Sequence, residues 1–432
     1  MQSRNTGRES YRGSHILAKN VATNTDTWES GINNNVLIFG PSGAGKTRHY
    51  VKPNIANGHE SMIVSDTKGN LFRQLGPQLL RRGYTVKNID FTDLTAGCGY
   101  NPLDYIRYDN KTDSYSEKDI LTLASCLIPE SIASDPFWDN ASRQYLEVLL
   151  SYVLEALPQE QHTIRYVQKL LTMMGDFGMD KLMQEFGLLR PNSTAALRYR
   201  ALRVMSKSEK TDACIRGILS THLDSLCFDE ALALYEKSDR ITFSELGRQK
   251  MAVFITISDT DRSMDALAGA FMTQALQNLC FSADKDYPDN RLPIPVRFYL
   301  DDFATNLVIP DFDKIISVIR SREIYVSIIL QSVSQLDSLY GEARAKTILN
   351  NCDQMLYLGG QDLDTARLIS ERSNRPIYSI LSMPLSKAYL FIRGREPLLT
   401  EKYTLPEEDS LPVDDMPVPE PTCDLDDTLP FD

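Results

Sequence analysis

The sequence predicts an α/β protein: a mostly parallel sheet flanked by helices, carrying a phosphate-binding loop and interrupted by an all-α domain. Three observations predict it. Gly40–Thr47 reads GPSGAGKT, between an apolar run and a helical pattern. Short apolar strands alternate with helical segments before residue 116 and again after residue 238. Between them the chain shows helix after helix and no convincing strand.

Taken in order, residues 1–31 are polar, with Arg4, Arg8, Arg12 and Lys19, and read as an extended lead-in or flexible arm. The first part of the nucleotide-binding domain spans 32–115. It opens on the strand Val36-Leu37-Ile38-Phe39, the loop, and a helix through Lys46 and Val51. A second strand, 61–65, ends at Asp66, and Leu71, Leu75, Leu79 and Leu80 recur at helical spacing. A third strand runs from Thr85 to Phe91; alternation at this interval indicates βαβ units.

Residues 116–238 form the all-α insertion, a small bundle. Phe137, Ala141, Tyr145, Val148, Leu149 and Tyr152 fall on one helical face. Its basic stretch, Arg198, Arg200, Arg203, Lys207 and Lys210, is read first as a solvated face and second as a contact with DNA or a protein substrate.

The sheet pattern resumes over 239–405. Strands are predicted at 251–257, 296–300, 324–330 and 354–358, and helices at 266–280, 312–322, 343–350 and 362–371. A late hairpin, 387–393 with 396–403, turns at Gly394. Residues 406–432 hold ten acids and six prolines, a composition that cannot bury a core and predicts disorder.

Length leaves room for two or three domains, and 42% apolar with 24% charged residues is ordinary for a soluble protein. No apolar run of about 18 residues encodes a membrane span. The start, MQSRNTGRES, lacks a signal peptide's apolar core, so the expected compartment is cytosolic. Seven scattered cysteines without CxxC spacing are expected to be reduced thiols, not zinc ligands or disulfides. The net charge is −12, and the ten acids after Lys402 account for −10 of it, leaving −2 for the body. Composition therefore neither demands nor excludes a nucleic-acid partner.

The loop's residue types carry its chemistry. Gly40, Gly43 and Gly45 allow a tight backbone, so that the N–H groups of the loop Gly40, Pro41, Ser42, Gly43, Ala44, Gly45, Lys46 and Thr47, Pro41 having none to offer, converge on phosphates. A helix N-terminus adds partial positive charge. Lys46 reaches the β- and γ-phosphates, and the Thr47 hydroxyl takes a place on Mg²⁺. The metal also needs an acid. Asp301 and Asp302, ending the 296–300 strand, are preferred over the strand-end acids Asp66 and Asp259. Asp301 would hold Mg²⁺ through water, and Asp302 would orient or deprotonate the attacking water. Gln331, at the end of the 324–330 strand, is placed to sense the γ-phosphate. Arg320 and Arg322, just before that strand, are candidates for an arginine finger toward a neighbouring subunit, with plain helix capping as the alternative.

LDDFATN (300–306), IRSREIYVSIILQSVSQL (319–336), NNCDQMLYLGG (350–360) and DPFW (135–138) together resemble the type IV secretion coupling proteins of the TraG/TraD kind. These are conjugative DNA-transfer ATPases related to the FtsK and HerA DNA pumps; the version here resembles those of Gram-positive mobile elements. The resemblance covers residues 15–403. It implies a RecA-like P-loop domain interrupted by an all-α domain, and a homo-hexameric ring around DNA with ATP and Mg²⁺ between subunits. The implied partners are a relaxase attached to single-stranded DNA, with double-stranded DNA in second place, and the ATPase and membrane components of the secretion channel. Lys46, Thr47, Asp301, Asp302 and Gln331 would inherit the ATPase roles. Two departures stand out. The family usually has Glu where this chain has Asp302, and usually carries N-terminal transmembrane helices. The expectation is thus a chain at the cytoplasmic face of the membrane, held by a partner or by a segment absent from it.

Overall fold

The computed structural model describes residues 13–129, 135–177, 179–205, 208–301 and 308–405. Its strands, in chain order, are β1 (Ser14–Ala18), β2 (Val21–Asn24), β3 (Val36–Phe39), β4 (Ser61–Asp66), β5 (Thr85–Asp90), β6 (Tyr108–Asp109), β7 (Ser114–Tyr115), β8 (Met251–Thr256), β9 (Val296–Leu300), β10 (Ile324–Leu330), β11 (Gln354–Tyr357), β12 (Lys387–Ile392) and β13 (Leu398–Glu401). One nine-stranded sheet runs β13-β12-β11-β3-β10-β9-β4-β8-β5. From β11 to β5 every neighbouring pair is parallel, and the β12–β13 hairpin extends the sheet antiparallel.

The inner strands are buried at every position: SMIVSD, MAVFIT, VRFYL and IYVSIIL. A parallel sheet covered on both faces selects such near-continuous apolar runs. Alternate side chains serve different faces. Val36 and Ile38 join a core with Tyr50, Val51, Leu71 and Leu79, under the helices Lys52–Asn57 and Asn70–Arg81. Leu37 and Phe39 join the opposite core, under the helix Asp265–Asp286. Arg297, on β9, is a charged residue fully buried inside the sheet. Its guanidinium pairs with Glu60 and donates to the Asn34 carbonyl at 2.8 Å.

The insertion comprises helices Glu117–Leu127, Pro136–Ala156, Ile164–Phe177, Met179–Leu189, Thr194–Met205, Glu209–Asp224 and Asp229–Glu236. Its apolar residues, such as Leu146, Leu149 and Leu219, continue the core that holds Leu37 and Phe39. DPFW is a helix start: Asp135 accepts from the Phe137 N–H at 3.0 Å, and Pro136 takes the first turn, where a missing N–H costs little. The basic stretch divides. Arg198 is half-buried and pairs with both Glu117 and Glu147, tying three helices together. Arg200 and Arg203 are exposed, and Lys207 lies outside the described residues.

Three expectations need correction. Residues 14–31 are not an extended arm: β1 and β2 pair as a hairpin, followed by the helical turn Thr27–Ser30. The polar composition concealed how the backbone is satisfied. The Asn54 side chain bonds both the N–H and the C=O of Ile16, each at 2.8 Å, and His15 Nε2 meets the Tyr50 hydroxyl at 2.7 Å. Second, the segment expected as one helix over 312–322 breaks into Phe312–Ile316 and a 3₁₀ turn, Ile319–Arg322. Glu323 then adopts φ 61°, redirecting the chain into β10. Third, helices Val333–Tyr340 and Ile377–Leu381 were not foreseen. The late hairpin does turn at Gly394, with φ 78°. Among the described residues no helix is long and apolar enough to cross a membrane. The acidic tail, 406–432, lies outside them.

Candidate nucleotide site

Gly40–Thr47 connects β3 to a wide π-helical turn, Thr47–Val51. Pro53 follows that turn; a proline removes a helical donor and crowds the carbonyl four residues back, which a widened turn relieves. The Gly40 N–H donates to the Leu330 carbonyl at 3.1 Å, and the Ala44 N–H closes onto the Pro41 carbonyl at 3.1 Å. Gly43 and Gly45 have φ 80° and 86°, in the left-handed region. A Cβ on Gly45 would lie 2.3 Å from His49 Cδ2, so the position admits only glycine as the loop stands. Lys46 is buried, and its Nζ donates to the carbonyls of Gly40 at 2.8 Å and Pro41 at 3.3 Å, which keeps the ammonium over the loop.

The Thr47 hydroxyl donates to Asp301 Oδ2 at 2.9 Å. A hydroxyl and a carboxylate 254 positions apart thus meet where the loop opens its helix. Such a pair suits Mg²⁺, which takes one or two protein oxygens and fills its octahedron with water and phosphate oxygens. The other strand-end acids are committed elsewhere. Asp66 accepts from the Phe72 N–H at 3.0 Å, holding the start of the Asn70–Arg81 helix, and burial raises its pKa. Asp259 is exposed and pairs with Lys68 at 3.7 Å. Asp302 lies outside the described residues.

Sheet order explains the convergence. β10 lies between β3 and β9, with Leu330 beside Phe39 and Ile328 beside Leu300. The three strands therefore end close together, at the carboxyl edge where α/β sheets bind ligands. Gln331, half-buried, falls between the loop and Asp301, its N–H held by Gln335 Oε1 at 2.8 Å. Arg320 and Arg322 stand at the other end of β10. Seven residues at ~3.3 Å each put them about 23 Å from Gln331. Arg322 makes a two-point ion pair with Asp284, at 2.9 and 2.8 Å, and Arg320 reaches the Thr27 carbonyl at 3.4 Å. Neither arginine is brought to the loop of its own chain.

Three residues that sequence reasoning missed also act here. Ser65, buried on β4, accepts from the Asp301 N–H at 2.8 Å and donates to the Asp301 carbonyl at 3.0 Å. A small polar residue inside a buried apolar strand was its available signal. His49 donates from Nδ1 to the Tyr403 carbonyl at 2.6 Å; burial lowers its pKa. Lys402 donates to the Ala44 carbonyl of the loop at 3.1 Å. Close approach of the segment after β11 completes the wall: a Cβ on Gly360 would lie 3.3 Å from Pro41 Cδ.

Comparison with known proteins gives the chain's family and fold. The family model for type IV secretory system conjugative DNA transfer matches residues 5–373. The chain is 23% identical over 365 residues to protein VirD4 of Rhizobium radiobacter, covering 82% of this chain and 50% of that protein. It is 24% identical over 328 residues to coupling protein TraD of Escherichia coli (strain K12), covering 73% and 40%. The chain thus spans half or less of these two relatives. Among solved structures, the unbound conjugative coupling protein TrwBdeltaN70 superposes with a TM-score of 0.68 at 16% identity, over 95% of this chain and 92% of that one. The plasmid coupling protein TrwB in complex with ADP and Mg²⁺ gives 0.66 at 17%, over 93% and 91%. The chain belongs to the type IV secretory system conjugative DNA transfer family.

Proposed function

We propose that this chain is the ATP-dependent motor part of a coupling protein, which recruits a relaxase–single-stranded DNA complex and delivers it to a type IV secretion channel. The observation that carries the reading is the 2.9 Å bond between Thr47 and Asp301, which joins the phosphate loop to an acid for the metal. Family membership supports the conjugative role. The likeness to TrwB bound to ADP and Mg²⁺, and to TrwB bound to a non-hydrolysable ATP analogue, supports ATP and Mg²⁺ as the ligands.

The chain's own residues divide the work. Loop N–H groups and the Lys46 ammonium bind the phosphates and stabilise charge as it moves onto the leaving oxygens. Thr47 and Asp301 hold the metal, which when bound neutralises phosphate charge. Asp302 takes a proton from the attacking water, and Gln331 senses the γ-phosphate from between β3 and β9. The position of Arg320 and Arg322 at the opposite edge suits action in trans: in a hexameric ring that edge faces the next subunit's site. DNA contact through phosphates makes binding independent of sequence and weaker with salt. Membrane components and the channel ATPase are the partners that place the chain at the cytoplasmic face.

ATP turnover with and without single-stranded DNA, in the intact chain and in Lys46→Ala and Asp302→Asn, tests the motor. DNA-stimulated turnover lost in both variants is the expected result. Nucleotide binding without turnover, alongside relaxase binding, would replace the motor with a nucleotide-switched adaptor. Asp302 is the feature that favours that second reading, because Asp is one methylene shorter than the family's usual Glu.

A further inference from the structure

The last described segment closes on the phosphate loop, and nothing in the motor reading requires it to. β13 ends at Glu401, whose carboxylate is held by Lys19 at 2.7 Å and by Lys387 at 3.5 Å. That carboxylate is therefore engaged on the far side of the strand, and the next residue, Lys402, turns toward the loop. Its N–H is anchored on the Ser386 carbonyl at 3.0 Å, and its Nζ donates to the Ala44 carbonyl at 3.1 Å. One residue on, the Tyr403 carbonyl accepts from His49 Nδ1 at 2.6 Å, fixing the segment to the helix that the loop opens.

The geometry of a peptide unit gives this contact a consequence. The Ala44–Gly45 peptide is trans and planar, so its C=O and N–H point to opposite sides. With the carbonyl drawn toward Lys402, the Gly45 N–H is turned the other way, into the loop. Gly45 has φ 86° and nearly free rotation in its own right, so a plane at this position is not fixed by local sterics. The Gly45 carbonyl is taken by the His49 N–H at 2.7 Å, which fixes the following plane but not this one. A cation on the carbonyl also polarises the peptide and strengthens its N–H as a donor. Lys402 is half-buried, so less water competes with the Ala44 carbonyl for its ammonium.

We propose that Lys402 is a positioning residue for the nucleotide's phosphates, holding the Ala44–Gly45 peptide with its N–H facing the phosphate group. This rests on the nucleotide reading of Gly40–Thr47.

The test is calorimetric titration of the full chain with ADP and with ATP in wild type, Lys402→Met, Lys402→Arg and Lys46→Ala, beside thermal unfolding without nucleotide. Loss of one charge-assisted contact predicts that Lys402→Met raises Kd for both nucleotides about 10-fold with an unchanged unfolding temperature. Lys402→Arg should restore Kd to within about 3-fold, because a guanidinium also donates to a carbonyl. The proposal is overturned if Lys402→Met binds as wild type does, if Arg fails to rescue, or if lost affinity tracks a lower unfolding temperature. Wild type that binds neither nucleotide, with Lys46→Ala indistinguishable from it, would remove the nucleotide reading and this inference together. Wild-type binding lost in Lys46→Ala but kept in Lys402→Met would remove only the inference.

Discussion

Ser65→Ala isolates the part of the site that is positioned by the sheet and not by the loop. In the wild type one hydroxyl makes two bonds to the Asp301 backbone, accepting at 2.8 Å and donating at 3.0 Å. Asp301 follows the last residue of β9, where the ladder to β4 has ended: Val64 pairs with Tyr299, the final pair between those strands. Ser65 thus extends the grip of β4 one step past the ladder and sets the direction in which the Asp301 carboxylate leaves the sheet. Two ordinary hydrogen bonds contribute about 1 kcal/mol each, so the substitution frees up to about 2 kcal/mol of restraint. If metal and nucleotide must re-impose that geometry, the cost appears in their binding. About 2 kcal/mol corresponds to roughly 30-fold in an equilibrium constant. The assay is ATP turnover against Mg²⁺ concentration at saturating nucleotide, with nucleotide binding in EDTA as reference. Ser65→Ala is expected to raise the half-saturating Mg²⁺ by about 10- to 30-fold while binding in EDTA changes little. Equal Mg²⁺ dependence in mutant and wild type would refute the claim that Ser65 positions Asp301. Equal losses with and without Mg²⁺ would show that the loop, not the acid, had been disturbed.

Three other outcomes follow from particular contacts. Gly45→Ala should abolish nucleotide binding and cost about 1–3 kcal/mol of stability, because the new Cβ would sit 2.3 Å from His49 Cδ2 and at φ 86°. Retained affinity by titration would contradict this loop geometry. Arg198→Met strips the partner from Glu147, a nearly buried acid whose pKa burial already raises against the pull of Arg198. A buried charge left alone costs about 3 kcal/mol or more. Since a raised folded pKa means stability present at low pH and lost as pH rises through it, the deficit should be large at neutral pH and shrink toward about pH 5, followed by denaturant melts across that range. A deficit independent of pH would point to lost packing instead. Arg297→Met should destabilise by about 3–5 kcal/mol by leaving the buried Glu60 carboxylate without its partner, and adding Glu60→Gln should recover more than half, as measured by chemical denaturation. Failure of the double replacement to recover stability would show that Arg297 matters through packing against Tyr325, 5.5 Å from its guanidinium, and not through charge.

What could be read from residues alone was whatever is written over a short span. The GPSGAGKT loop states its own chemistry, and the runs at 251–256, 296–300 and 324–330 are apolar because both faces of the sheet are covered. The helical insertion was legible for the same reason, since one apolar face repeats every turn of a helix. Strand order was not. β3 and β4 follow one another in the chain, yet β10 and β9 lie between them; β4 and β5 are likewise consecutive, and β8 separates them. In both cases the intruder arrives from beyond the insertion. Neighbours in the sheet are therefore distant in sequence, and the pairing of a residue with such a neighbour is not written locally.

That distinction accounts for which residues could be nominated at the candidate site and which could not. Asp301 could be nominated because an acid at the end of an apolar strand is a local pattern, even though its partner Thr47 lies 254 positions away. Ser65 carried a signal, a polar residue in an apolar strand, but what that signal meant exists only once β4 lies beside β9. The same holds for the lead-in. His15 looks polar and exposed in sequence, but the hairpin carries it against Tyr50, whose hydroxyl also meets Ser327 on β10 at 2.8 Å. Burial then lowers the His15 pKa well below the ordinary range and keeps the ring neutral beside the buried Arg297. Three segments, each unremarkable alone, thus make one polar network under the phosphate loop's helix. Lys402 is the extreme case. A lysine after a β-hairpin reads as a solvated edge charge, and only the path of the last strand back across the sheet puts its ammonium on the loop. The residues that hold the loop's backbone and its acid from other segments are, by this logic, those least able to announce themselves in sequence.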